Sequence, residues 1–141
     1  MNKGGHILTR LALFSFMKDS RLFDFSRKDD FCWVSMIRLP DFVTREEFDW
    51  ATREAKEKKK TDFSSVKYLT IQEGLCVQCM HVGIYDDEPA TISAMRSYAK
   101  EQGYKIDLNE MRRHHEIYLG DPRKTRSEKL KTVIRIPVTK Q

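Results

Sequence analysis

Along the chain, apolar and polar positions switch between two periods. Cys32 to Arg38 alternates residue by residue, with Trp33, Ser35 and Ile37 on one side and Val34 and Met36 on the other, which is the period of a strand. Pro40 stops it. Thr44 then opens a helix, because Glu47 lies three residues on and can reach back to the cap amide. Phe48, Ala51 and Ala55 repeat at helical spacing, and Lys56, Lys58, Lys59 and Lys60 put cations at the negative end of the helix dipole. Two strands are predicted next, 66–71 and 75–82, joined tightly at Gly74. Asp86 or Asp87 caps a second helix with Pro89 in its first turn, a buried stripe of Ile92, Met95 and Ala99, and Gly103 just past its end. Strands over 113–119 and 132–138 close the chain, separated by Gly120, Asp121, Pro122 and a basic connection.

The order strand, helix, strand, strand, helix, strand, strand predicts an α+β fold. Its sheet is largely antiparallel, with two helices on one face, and it divides into strand–helix–strand–strand modules. The open face of such a sheet calls for solvent, a ligand or a partner. At the start, 11–16 is apolar apart from Ser15. It is far too short to cross a bilayer and is followed at once by Lys18 and Asp19, so it reads as a short amphipathic or buried N-terminal element.

Composition narrows the classes of function. The 141 residues suit one domain, with 40% hydrophobic and 33% charged positions, as in ordinary globular proteins. Three cysteines argue against a secreted disulfide framework and favour a cytoplasmic setting. The net charge of +5 admits nucleic acid as a partner. The basic runs at 56–60, 112–113 and 123–131 are, however, broken by acids and lack interleaved aromatics, so nucleic-acid binding ranks last. No phosphate loop, nucleophile elbow or dinucleotide fingerprint is present.

Candidate chemistry gathers in the strand at 113–119. Alternation puts His114, Glu116 and Tyr118 on one face and His115, Ile117 and Leu119 on the other. With Ile117 and Leu119 taken as the core pair, Glu116 is expected to point away from the helices. There it is either a solvated residue on an open sheet or a pocket carboxylate that pairs with a cation or moves a proton. No metal is expected, because the adjacent histidines diverge and at most His114 and Glu116 could share an ion. Cys76 and Cys79 form a CxxC inside a strand rather than at a helix start, so they are expected to be buried and unreactive. Tyr85, at a strand end beside a helix start, either packs its turn or lines a pocket. Trp33 is either core or, on the face of Glu116, a platform for a ligand; Met36 and Met80 add adaptable surface if they lie there too.

Three stretches together resemble one family. They are Trp33 to Arg38 with Pro40 to Thr44; Glu73 to Gln78 with Tyr85 to Thr91; and Arg112 to Leu119 with Asp121 to Arg123 and Glu128 to Thr132. In this order and spacing, over residues 23–138, they resemble the stand-alone branch of the GyrI-like small-molecule-binding family. The resemblance implies tandem strand–helix–two-strand modules enclosing a cleft for bulky, aromatic or cationic ligands, with no cofactor. Relatives include effector-binding domains of drug-responsive regulators, drug-sequestering proteins, and hydrolases that open the cyclopropane ring of DNA-alkylating compounds. By the same resemblance Glu116 is the cleft carboxylate, and Tyr85 and Trp33 line the cleft; in a hydrolytic reading Glu116 is the catalytic base and the Tyr85 hydroxyl steadies developing charge, with Met36, Met80, His114 and Tyr118 completing the expected ligand-binding set. Residues 1–22 do not resemble the family's opening strand and helix, and Ile84 replaces an expected proline. The first module is therefore expected to be incomplete and the second intact, with domain limits of 23–141. The missing wall is expected to come from the N-terminal element or from a second copy in a homodimer.

Overall fold

A computed structural model describes the backbone of residues 11–17 and 31–141 and the side chains of 32–141. Its elements are β1 (Leu11–Met17), β2 (Phe31–Ile37), α1 (Arg45–Lys59), β3 (Cys76–Val82), α2 (Glu88–Glu101), β4 (Tyr104–Ile106), β5 (His114–Tyr118) and β6 (Lys131–Lys140). The sheet runs β2-β1-β5-β6-β3, with β4 pairing the end of β6, and every pairing is antiparallel. Two helices and an antiparallel sheet make the fold α+β. The strand–helix–two-strand module is complete in β3, α2, β5 and β6.

Residues 39–72 form one compact unit and the remainder another. In the 39–72 unit, α1 starts as its sequence dictates. Thr44 accepts from the Glu47 amide at 3.2 Å, and the Glu47 carboxylate accepts from the Thr44 amide at 2.7 Å. Tyr68 ties the following segment back, donating to the Val43 carbonyl at 3.1 Å and meeting Phe48 edge to face. The strand expected over 66–71 does not form. A strand needs a ladder partner, and among the described residues this stretch has none; Val66, Leu69 and Ile71 are largely exposed.

In the other unit, α2 lies on the sheet through the predicted stripe. Ile92 and Met95 pack with Ile134 and Ile136 of β6, flanked by Val77, Ile106 and Leu108, and buried Ala99 continues the stripe. Pro89 sits in the first turn as expected, but Asp87, the N-cap residue of α2, makes no side-chain capping hydrogen bond; a 3-10 turn over Tyr85–Asp87 leads into the helix. The N-terminal element is a strand, β1, between β2 and β5. β4 was not legible in the sequence, being three residues long directly after Gly103.

Arg112 locks the start of β3 to the end of β6. Its guanidinium donates to the carbonyls of Glu73, Leu75 and Val138, at 2.6 Å for Leu75, and to the Asp107 carboxylate. Gly74 has a φ of 66°, and a Cβ there would meet the Arg112 guanidinium at 3.4 Å, so glycine suits both the turn and the close approach. We expect Arg112→Ala to cost about 2–3 kcal/mol in urea unfolding, the range of hydrogen bonds from a charged donor. Arg112→Lys should rescue little, because one ammonium cannot span four acceptors; near-complete rescue by lysine would count against this role.

Candidate functional site

The site grows from β5. His114, Glu116 and Tyr118 share a face, as alternation requires. His114 Nε2 lies 2.9 Å from Glu116 Oε1, and Tyr118 donates to Oε2 at 2.6 Å. A carboxylate only accepts, so the His114 ring presents N–H to it. His114 and Glu116 are both buried. Burial alone would push the Glu116 carboxyl up, but the two hydrogen bonds and the His114 ring outweigh it and hold the group below the ordinary carboxylate range. This depressed value means Glu116 contributes stability above its unfolded pKa, and that contribution is lost as pH falls through the folded one.

Register corrects the expected direction of this face. Glu116 stands opposite Ile134, and His114 is thereby in line with Ile136; both isoleucines are core residues under α2. Glu116 therefore points toward the helix layer, not away from it. Ile117 and Leu119, taken as the core pair from their hydropathy, are only half-buried. The core is instead supplied by the alternate residues of β6, and a self-satisfied His–Glu–Tyr cluster can be buried beside it because each polar group has a partner.

α2 delivers the rest. Glu88, its first residue, is 3% exposed and lies within electrostatic reach of Glu116. Burial, reinforced by the Glu116 charge, pushes its carboxyl up to about 8. The Thr132 hydroxyl opposes the rise, although Glu88 Oε1 and Thr132 Oγ1 close no hydrogen bond of normal geometry. Between 4.5 and about 8 the folded chain thus holds a proton that the unfolded chain has lost, so this group's contribution to stability falls as pH rises through that window. Tyr85, 39% exposed, forms the outer rim and meets Tyr118 edge to face, ring centroids 5.5 Å apart. Burial, then Glu88 and Glu116, pushes its hydroxyl up, and the same causes act more strongly on Tyr118.

Sequence reasoning assigned the start of this helix to capping by Asp86 or Asp87 and missed Glu88. The signal was present: 88, 92, 95 and 99 lie on one helical stripe, so extending the apolar stripe back one turn places Glu88 against the sheet.

The remaining candidates separate by register. Trp33 pairs with Ser15, which pairs with His114, so Trp33 stands on the face of Glu116, two strands away and 60% exposed. Met36 reaches Ile117 through Ala12, and Met80 reaches it through Val133, so both lie on the opposite face from Glu116. His115 is on that opposite face too. Its Nδ1 is 2.7 Å from Glu73, which also pairs with Arg135, and Arg135 in turn donates to Gln78 at 2.7 Å. Cys76 and Cys79 do point to opposite faces, but neither is buried as expected: β3 ends the sheet order, leaving Cys76 half-buried and Cys79 exposed. Burial and Glu73 push the Cys76 thiol up, away from thiolate chemistry.

A separate hollow in the 39–72 unit is lined by residues that include Arg45, Phe48, Thr52, Phe63 and Tyr68. None of them is buried, so it lacks the desolvation that sets Glu116 and Glu88 apart. Among the described residues no group of His, Cys, Asp and Glu is arranged to hold a metal ion, and no helix is long and apolar enough to cross a membrane.

The fold is thus an antiparallel α+β module whose strand carboxylate, Glu116, is buried beside a helix start with Tyr118 and Tyr85 next to it. The family model of the GyrI-like small molecule binding domain matches residues 9–139, and this chain belongs to that family. The chain is similar to an uncharacterized conserved protein from Listeria innocua, with 42% identity and a TM-score of 0.86 over 93% of this chain and 64% of that one. It is also similar to a hydrolase from Listeria innocua, with 39% identity and a TM-score of 0.80 over 93% of this chain and 62% of that one. The chain thus spans less than two thirds of the length of either. Among curated proteins none matches it.

Proposed function

We propose that this domain binds a bulky aromatic electrophile beside Glu116 and opens its strained cyclopropane ring by adding water. The observation that carries this reading is a strand carboxylate buried beside the start of α2 and kept in its proton-accepting form by His114 and Tyr118. In the step, Glu116 takes a proton from water as the water oxygen bonds to a ring carbon. The ring C–C bond breaks, and its electrons pass into the conjugated carbonyl, where the Tyr85 hydroxyl steadies the developing oxyanion. Trp33, on the same face, offers an aromatic surface to a planar ligand. The similar Listeria protein described as a hydrolase supports the class of chemistry.

A second reading, sequestration without turnover, is favoured by the fact that both Glu116 oxygens already accept protein donors, which suits a fixed counter-charge. Incubation with a cyclopropane-bearing DNA alkylator followed by mass spectrometry separates the two. Addition of one water is the expected result; bound but unchanged compound leaves only sequestration.

A further inference from the structure

Glu88 is the group that the ring-opening step leaves unused. It occupies a stripe position where Ile92, Met95 and Ala99 continue the core, so a carboxyl stands where the pattern asks for an apolar side chain. Its Oε1 is buried without a hydrogen bond, and leaving such a group unmet is destabilising unless something else uses it. The groups facing it are Glu116 and Tyr118 from β5, Thr132 from β6 and Tyr85 from the 3-10 turn. His81, across from Thr132 on β3, is engaged by Thr91 and the Ile84 carbonyl. Among the described residues no lysine or arginine is a cause of the Glu88 shift. A carboxyl buried beside a carboxylate with no cation keeps its proton, so the site holds two carboxyls and one negative charge.

We propose that Glu88 is the charge-selecting residue of this site: an aromatic cation drawn to Glu116 displaces the Glu88 proton to solvent, so that cation binding is coupled to proton release. The inference rests on Glu116 being the ligand's counter-charge. The balance is simple, with one carboxyl O–H broken and its proton passed to bulk buffer. A cation supplies the positive charge that the chain itself withholds from Glu88, and a neutral ligand of the same shape does not. The second carboxylate therefore appears only for cationic ligands.

Two measurements on the full chain test this. The first needs no ligand: in carboxyl-carbon NMR titration, Glu88 is expected to titrate near 8 and to move down in Glu116→Gln. Titration in the ordinary glutamate range overturns the inference. The second uses ethidium, by calorimetry in buffers of different ionisation enthalpy. Binding is expected to release up to about one proton, with affinity rising up to about tenfold per pH unit below the Glu88 pKa and flattening above it. Glu88→Gln should bind ethidium with neither proton release nor pH slope, and Glu88→Leu, which fills the stripe with an apolar side chain, should behave alike while folding at least as stably. Proton release persisting in both variants overturns the inference and leaves the reading of Glu116 intact. Failure of the unaltered chain to bind ethidium overturns that reading, and the inference with it.

Discussion

Glu116→Gln is expected to reduce ring-opening turnover by about 10²–10⁴-fold, the range contributed by a positioned general base. The substitution keeps shape and length, so affinity for neutral aromatic ligands should change little, while affinity for cations should drop. Glutamine offers one acceptor and one donor where the carboxylate offered two acceptors. Either His114 or Tyr118 must then turn a lone pair toward the amide, and a stability loss of about 1–2 kcal/mol is expected from that readjustment. The pH profile gives an independent check. His114 and Tyr118 hold the Glu116 carboxyl below its ordinary range, so the basic form persists into mild acid and the acid limb of the rate profile should fall below the usual glutamate value. Tyr118→Phe removes one of the two supporting hydrogen bonds and should move that limb upward. Equal turnover in Glu116→Gln and the unaltered chain would remove Glu116 from the reaction.

The parts of this site that the sequence made legible are those fixed by local geometry. Strand alternation alone put His114, Glu116 and Tyr118 on one face and sent His115 to the other, and both placements stand in the structure. The capping box at Thr44 and Glu47 and the stripe of Ile92, Met95 and Ala99 were likewise local patterns, and both are present. What local pattern does not decide is which face of a strand the helix covers. Ile117 and Leu119 were as apolar as Ile134 and Ile136, and only the pairing of β5 with β6 distinguishes the two pairs. That long-range choice reversed the expected direction of Glu116, while the pairings through β1 and β6 put Met36 and Met80 on the face of Ile117. The segment at 66–71 failed for a related reason, since its residues suit a strand but strand formation depends on a partner elsewhere in the chain. Glu88 escaped notice because an acid at a helix start already has an ordinary explanation in the helix dipole.

Ile134→Ala is expected to lower the unfolding free energy by about 2–5 kcal/mol, a large share of the stability of a domain this size. Ile134 is fully buried, packs with Ile92 and Met95 of α2 and with Ile136, and stands directly opposite Glu116 in the sheet. Its truncation would remove apolar contacts and also leave a void beside the buried carboxylate. Water entering that void would raise the local dielectric and weaken the burial that separates the behaviour of Glu88 from that of Glu116. Ile134→Val removes a single methylene and should cost only about 0.5–1.5 kcal/mol. The pair of variants, followed by urea unfolding and by Glu88 titration, links packing to the site. If Ile134 is the wedge that keeps these carboxyls dry, the Glu88 pKa should fall toward the ordinary range in the alanine variant and stay high in the valine variant. A large stability loss with no movement of Glu88 would confine Ile134 to the core and assign the dryness of the site to the first turn of α2.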